Sequence, residues 1–465
     1  MPPRNRTALA LAALLAAGSV SAADLAEVYR LAAQNDPRLR EAEANYRATR
    51  EAKAQAWAAY LPQITGTVQD QSRSSDGLAP FFDTNTSSYL ILPYDSETDS
   101  TSTSITLRQT VFNWSKIKDI QAGAATAAQA EAEFEAARQD FIVRTADRYF
   151  GQLAAADALE AASLNREAIG RQLEQSKKRF EVGLIAVTDV QESQAAFDQA
   201  VAEEIAAQRS LESAREALRE ITGEFTTDLL RPSEAMPLID PQPAAPDQWV
   251  KLANEQNLTL VASRFAAESA AHALGAAWGS HLPTLDLVAT ESKYEETQTF
   301  TVNNGLPDVT DSEQPSTTYS IQLNVPLFAG GATQSGVRQA KYRSRAADQR
   351  LERVTRETQR QARDALLGVT SEISRTKALR QAAESSATAL RATEAGFEVG
   401  TRTTVDVLDS RRNLLRAQVN YRRAKYDYLL NTLRLKQAAG TLTDADVAQV
   451  NAWMTATAPS APAQR

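Results

Sequence analysis

Proline interrupts helices and is confined to the margins of sheets, so its placement limits what a chain can become. In these 465 residues, positions 94–231 and 327–458 contain no proline at all. Lys116 to Phe180, taken as one continuous helix, would be about 100 Å long at 1.5 Å per residue, and Gln334 to Phe397 gives nearly the same. Each run ends in a break, Phe180-Glu181-Val182-Gly183 and Phe397-Glu398-Val399-Gly400, before a second helical pattern starts near Thr188 and near Thr404. A glycine that admits positive φ ends one helix, and threonines cap the start of the next. In the last helix Leu408, Leu415, Val419, Tyr426, Leu430 and Leu433 are spaced 7, 4, 7, 4 and 3. In its counterpart Val190, Phe197, Val201 and Ile205 are spaced 7, 4 and 4. Both are coiled-coil seams, so the chain is predicted to form two long antiparallel helical hairpins.

The two hairpins are copies. Gly183 and Gly400 differ by 400 − 183 = 217, and Asp189 and Asp406 by the same 217. Leu61-Pro62-Gln63-Ile64 returns as Leu282-Pro283-Thr284-Leu285, and Ser104-Ile105-Thr106-Leu107 as Ser320-Ile321-Gln322-Leu323, at offsets of 221 and 216. A period this long is a duplicated half, not a solenoid repeat. Each half opens with a helical segment, Leu25–Tyr60 and Asp247–His281, which stops at Pro62 and Pro283. Arg231 to Pro246 holds five prolines and reads as a linker or belt between the halves.

Between the opening helices and the hairpins the apolar period falls from 3.6 to 2. Ile64, Gly66 and Val68 alternate with polar neighbours, as do Ile105, Leu107 and Val111, then Leu285 and Leu287, then Tyr319, Ile321, Leu323, Val325 and Leu327. This predicts four strands near 63–72, 103–112, 284–292 and 318–328, each apolar on one face. Two strands per half leave too many exposed edges for a self-sufficient sheet, whereas apolar-out, polar-in alternation is what a membrane barrel requires. Tyr60, Phe112, Trp114, Tyr294 and Phe328 would suit an interfacial girdle. The Ser-, Thr-, Asp- and Gly-rich links 72–102 and 292–316 read as exposed loops. Thr455–Arg465 reads as a flexible end to a C-terminal tail, 443–465.

Composition narrows the class. At 43% hydrophobic and 23% charged residues the chain is not of disordered type. There is no cysteine, which removes disulfides, thiolate metal sites and a lipidated N-terminus. The net charge of −8 speaks against nucleic acid as a partner. Residues 1–22 have the layout of a signal peptide: Arg4 and Arg6, an apolar run Ala8–Ala17, then Val20-Ser21-Ala22. Cleavage there would remove two positive charges, taking −8 to −10. Only His272 and His281 are present, and no phosphate loop, metal-ligand cluster or nucleophile motif occurs, so no catalytic residue and no cofactor is expected.

From about Leu25 to Leu442 this order of helix, strand pair, hairpin, linker and repeat resembles the TolC-type outer-membrane channels. The resemblance is carried by Arg179-Phe180-Glu181-Val182-Gly183 with Thr188-Asp189-Val190-Gln191, by His281-Leu282-Pro283-Thr284-Leu285-Asp286-Leu287, and most of all by Val399-Gly400-Thr401-Arg402-Thr403 with Val405-Asp406-Val407-Leu408-Asp409. It implies a mostly α protein with a membrane β-barrel. In a homotrimer each protomer (23–230 and 247–442 as the repeats, 231–246 as an equatorial segment) would give four strands to one twelve-stranded barrel in outer-membrane lipid. The coiled-coil hairpins would form a tunnel in the periplasm. It also implies the partners, a periplasmic adaptor and an inner-membrane transporter of ABC or RND type, and the work, efflux of small molecules or type I protein secretion.

Roles at the hairpin tips follow from the same resemblance. Asp406 and Asp409 match acidic positions lining the entrance, where three copies would make cation-selective carboxylate rings. A second reading of the same residues is a capping box, Thr403-x-x-Asp406, with Asp409 favourable near a helix N-terminus; both can hold. Arg402 matches an arginine that keeps the entrance shut through the positions of Thr188 and Asp189. Phe397 stands where the family has a tyrosine bonded to the carboxylate matching Asp189, so that link lacks its hydroxyl here. Val182, Gly183, Leu184, Val399, Gly400 and Thr401 match the tips on which an adaptor docks. The competing class is an exported coiled-coil scaffold or adaptor without a channel, which the hairpins alone would fit and the strand pairs do not.

Overall fold

A computed structural model describes residues 22–226 and 228–455; the segment read as a signal peptide lies, but for Ala22, outside them. The elements follow in the order α1 (Leu25–Asn35), α2 (Pro37–Ala58), β1 (Gln63–Asp83), β2 (Ser88–Phe112), α3 (Trp114–Glu181), α4 (Val187–Thr222), β3 (Arg231–Pro232), α5 (Pro246–Gln256), α6 (Leu258–Gly279), β4 (Thr284–Val302), β5 (Asp308–Asn324), α7 (Ala332–Glu398), α8 (Thr404–Ala439), α9 (Asp444–Asn451) and β6 (Met454–Thr455). The duplication is visible in the lengths. Helices α1 and α5 have 11 residues each, α2 and α6 have 22, α4 and α8 have 36, and α3 and α7 have 68 and 67. Each long helix begins and ends, and each returning helix begins, within two residues of the position expected from the sequence, because the residues around each turn fix it locally.

The chain divides into two compact units, and α3 and α7 run through both. One comprises 46–131 and 262–352 and contains the sheet. Its strands are antiparallel in the order β1-β2-β4-β5, so the halves join through β2 and β4, while β1 and β5 are each paired on one side only. The registers place Ile64 opposite Leu107, Leu107 opposite Ala289 and Ala289 opposite Tyr319, which puts these side chains on one face. The alternate positions form a row of threonines, Thr65, Thr106, Thr290 and Thr318, on the other. Within that row Thr106 and Thr290 share a hydrogen bond of 3.2 Å, and Arg108 and Asp286 pair on the same face at 3.8 Å. The apolar face is open: Ile64, Val68, Tyr319 and Ile321 are all largely exposed.

The sheet corrects two expectations. The links 72–102 and 292–316 are mostly strand, with turns only at 84–87 and 303–307. The apolar alternation stops near Val68, but the backbone ladder does not depend on it, and the Thr- and Ser-rich continuation pairs residue for residue. Conversely β5 ends at Asn324, and Val325–Phe328 is not strand; Pro326 has no N–H to give to a ladder. At the foot of the sheet the helices approach closely through small residues. Ser115 Oγ donates to Ala276 O at 2.7 Å, and a Cβ on Gly279 would lie 2.6 Å from Ser115 Oγ.

The other unit, 22–45, 132–261 and 353–455 among the described residues, holds the main core. Tyr149, Phe150, Leu153, Leu218, Val369 and Leu429 are buried in it. Tyr149 donates to Leu230 O at 2.7 Å, and the Phe150 and Tyr426 rings stack at 5.7 Å. Residues after Leu442, part of the stretch expected to be a tail, form α9 and β6, with Val447, Val450 and Met454 in this core. A capping box starts α9: Asp446 Oδ2 accepts from Thr443 N at 2.8 Å and from its hydroxyl at 3.1 Å.

One buried charge organises the surroundings. Asp157 is 1% exposed, and its carboxylate accepts from Tyr426 at 2.6 Å and pairs with Arg231 and Arg422, each at 3.1 Å. Burial and the adjacent Asp157 carboxylate push the Tyr426 phenol up, so it remains a neutral donor. Asp157→Ala is expected to cost about 2–4 kcal/mol, since a buried phenol loses its acceptor while both arginines still reach water. Denaturant unfolding followed by circular dichroism should show the midpoint lowered with its slope kept.

Candidate functional site

Both hairpin turns lie in the unit that holds the core. At the first, Gly183 has φ +77°, its N–H donates to Phe180 O at 2.9 Å, and Leu184 N donates to Arg179 O at 2.9 Å. At the second, Gly400 has φ +79°, its N–H donates to Phe397 O at 3.1 Å, and Thr401 N donates to Gly396 O at 2.9 Å. Only glycine takes this backbone at low cost, and the two bonds close the last carbonyls of each helix. Each hairpin is then tied by one buried or half-buried hydroxyl pair. Ser176 meets Ser193 at 3.1 Å, and Thr393 meets Ser410 at 3.1 Å. The offsets are again 393 − 176 = 217 and 410 − 193 = 217, so the duplication survives as a contact and not only as a motif.

The helices that leave the turns are capped unequally. Asp406 Oδ2 accepts from Thr403 N at 2.8 Å and Thr403 Oγ1 at 3.0 Å, while Asp406 N donates to Thr403 Oγ1 at 3.2 Å, a complete capping box. These bonds, the backbone one first, hold the Asp406 carboxyl below the usual carboxylate range. At α4 the N-cap is Ala186, which has no side-chain acceptor. Only the return bond forms there, from Ala186 N to Asp189 Oδ2 at 3.3 Å. Asp409 is held by Arg412 one turn on, at 2.7 Å.

A cavity of about 500 Å³ lies among α3, α4, the end of α7 and the start of α8. Of the residues expected at the site, Asp189, Phe397 and Asp409 line it, together with Thr403, Arg179 and Arg412. Thr188, Arg402 and Asp406 do not. The Arg402 side chain is exposed and makes no hydrogen bond or ion pair among the described residues, its charge acting only on the nearby Asp406, so it is not joined to Thr188 or Asp189 within one chain. Its backbone N–H donates to Gly396 O at 3.2 Å, which fixes the loop that carries it. The tip residues Val182, Gly183, Leu184, Val399, Gly400 and Thr401 are all exposed.

Sequence reading missed Arg179. Its guanidinium lies 5.2 Å from the centre of the Phe397 ring, joining the end of α3 to the end of α7. A cation over an aromatic face is worth about 0.5–1 kcal/mol where exposed and more where water is excluded. The residue stood in plain view within Arg179-Phe180-Glu181-Val182-Gly183, but only tertiary packing brings it to a partner in the other half. Arg412 was missed as well, although its signal was local, because acid and base three apart share a helix face.

With this geometry in hand, comparison with known proteins gives one answer. Residues 28–224 and 249–441 match the family described as outer membrane efflux protein. The outer membrane protein TolC of Vibrio cholerae is 37% identical over 436 residues, covering 94% of this chain and 95% of that one. TolC of Escherichia coli is 32% identical over 437 residues, covering 92% and 85%. The alkaline protease secretion protein AprF of Pseudomonas aeruginosa is 30% identical over 430 residues, covering 92% and 86%. Among solved structures, a membrane protein from Pseudomonas aeruginosa superposes with a TM-score of 0.72 at 19% identity, covering 90% and 91%. The CmeC outer membrane channel of Campylobacter jejuni does so with 0.70 at 16%, covering 93% and 90%.

The capping box supplies a test within the chain. A depressed carboxyl stabilises the folded turn above its unfolded value and loses that effect as pH falls through the folded one. Protection of the Thr403 and Asp406 amides in hydrogen exchange should therefore hold at neutral pH and fall away only below the ordinary value of 3.8. Thr403→Ala should loosen the same amides at neutral pH and leave those of 187–190 unchanged.

Proposed function

The chain belongs to the outer membrane efflux protein family, and from that premise we propose that it is a trimeric exit duct of the outer membrane, used for efflux and for type I secretion. The observation that carries this reading is the sheet. Its apolar face is uncovered, its other face carries threonines and an ion pair, and both of its edges are unpaired. Lipid suits the first face and water the second. In hydrocarbon every backbone group must be paired, so the open edges of β1 and β5 call for further copies to close a barrel. A periplasmic scaffold would have no use for such a surface. Fractionation tests this directly: the protein should sediment with the outer membrane as a trimer, and a soluble monomer in the periplasm would end the reading.

The helical hairpins belong to the periplasmic tunnel, working with an adaptor and an inner-membrane transporter. The uncovered apolar tips, Val182 and Leu184 on one hairpin and Val399 on the other, support adaptor docking there.

The entrance we assign to the hairpin tips. In this reading Arg402, whose side chain has no hydrogen bond or ion pair among the described residues, reaches Thr188 and Asp189 of a neighbouring copy. Within the chain, the stack of Arg179 on Phe397 replaces the tyrosine-to-carboxylate bond that the family resemblance calls for. Two latches of different kind thus hold the entrance, one between copies and one inside each. Arg402→Ser and Arg179→Gln should each raise single-channel conductance in planar bilayers, and the double variant should exceed both. Conductance unchanged in Arg179→Gln would remove the inner latch.

The carboxylate ring rests mainly on Asp406 in this reading, because Arg412 offsets Asp409. Block by a trivalent cation from the periplasmic side should weaken in Asp406→Ala with Asp409→Ala. It should strengthen in Arg412→Gln, which frees Asp409. Equal block in all three proteins would rule out the ring.

A further inference from the structure

Residues 78–93 stand beyond the four-stranded sheet. The last pair between β2 and β4 is Tyr94 with Val302, and past it only β1 and β2 continue, from Leu78 opposite Pro93 to Asp83 opposite Ser88. A two-stranded ribbon is marginal in water even when polar. This one is apolar on both faces. Leu78, Phe82, Tyr89 and Ile91 continue the parity of Ile64 and Leu107, while Phe81, Leu90 and Leu92 continue that of the threonine row. Leu78, Tyr89 and Ile91 are 70%, 71% and 70% exposed in a single chain. At its foot, on the threonine-row side, Phe300 stacks on Tyr94 at 5.4 Å and lies 6.0 Å from Phe81.

Membrane lipid does not account for this surface. From Val68 to Leu78 is ten residues, about 33 Å at 3.3 Å per residue. The outward positions between them are Asp70, Ser72, Ser74 and Asp76, facing Thr101, Asp99, Glu97 and Asp95. A stretch so polar and acidic separates the ribbon from the hydrocarbon band and repels anionic headgroups. The chain enters and leaves the sheet at Gln63, Phe112, Thr284 and Asn324, where the helices attach, so the ribbon is at the opposite end of the barrel, its exit. It also extends β1, the open edge along which copies must join. At 17 residues β5 is shorter than β1 at 21, so a neighbour's backbone leaves the top of the ribbon unpaired and its side chains must find cover elsewhere.

We propose that the ribbons of the three copies pack on one another across the barrel axis, making an apolar constriction at the exit. This rests on the trimeric duct argued above. The occupant of each apolar ribbon is a second copy of this chain. Such a constriction excludes water and small ions until cargo or pressure from within parts it, so the duct carries a gate at its exit distinct from the latches at its entrance.

The chain has no cysteine, so single cysteines report cleanly. In intact outer-membrane vesicles, Leu90→Cys treated with a bifunctional maleimide should give covalent dimers and trimers on denaturing gels, and Ser74→Cys should stay monomeric. A water-soluble maleimide should label Leu90→Cys more slowly than Ser74→Cys, and Phe81→Asp with Leu92→Asp in the same chain should abolish that difference and the cross-link together. Native electrophoresis reports assembly in every variant. A trimer in which Leu90→Cys neither cross-links nor is shielded overturns the inference and leaves the duct standing. Absence of a trimer overturns both. Shielding of Ile91→Cys that detergent relieves, with no cross-link at Leu90→Cys, would put lipid on the ribbon and also overturn it.

Discussion

Backbone N–H and C=O groups at a strand edge tolerate water but not hydrocarbon. Here β1 and β5 each leave one such row unpaired, beside a face of exposed isoleucine, valine, leucine and tyrosine. The rest of the molecule is consistent with meeting that demand. Four strands are too few to enclose a lumen, so closure must come from copies, and copies must be held in register by something outside the lipid. In the trimeric duct proposed above, the long helices would serve that end. Their seams and small-residue contacts, such as Gly279 against Ser115, bring helices close without needing lipid or a ligand. Duplication is economical in this setting, because one solution for attaching a strand pair to a helical hairpin serves twice.

The copies have since diverged where it matters. The serine pair 176/193 and its counterpart 393/410 keep the same place in each hairpin. The turns keep their glycines at almost equal φ, +77° and +79°. Past the turn the symmetry ends: a threonine caps α8 with both bonds of the box, and an alanine caps α4 with one. The stiffer start belongs to the helix that carries Asp406 and Asp409. In the ring proposed above like charges would repel one another, and a capped first turn would hold each carboxylate against that repulsion at a defined position. The looser start carries Asp189, which in the proposed latch would need only to be reached.

What could be read from the sequence follows how local each cause is. The turns at Gly183 and Gly400, the capping box at Thr403 and the hairpin ends depend on a few adjacent residues, and they were legible. Strand identity was legible where apolar residues alternate, from Ile64 to Val68, and the full extent of β1 to Asp83 was not. Hydrogen bonding between strands is nearly indifferent to whether a serine or a valine is attached. The helix after Leu442 left a signal in Thr443-x-x-Asp446, too short to outweigh the end of the coiled-coil seam. The stack of Arg179 on Phe397 joins positions 218 apart, since 397 − 179 = 218, and nothing local announces it. The ribbon 78–93 hid for another reason: its apolar residues sit within a segment whose average is polar.

The exchange of a phenol for a phenyl ring at 397 also changes what could release the entrance. A tyrosine bonded to a carboxylate answers to acid, because protonating the carboxylate removes the acceptor. An arginine over a phenyl ring has no carboxylate acceptor to lose. Its strength depends instead on how well water is kept from the pair. The inner latch proposed here is thus sensitive to whatever enters the adjoining cavity. Arg179 and Phe397 both form the wall of that cavity. An apolar side chain inserted beside them would strengthen the stack by drying it, and a polar or charged one would weaken it. In the duct proposed above, release of the entrance would therefore call for a partner that presents polar groups at the tips, or one that pulls α3 and α7 apart mechanically.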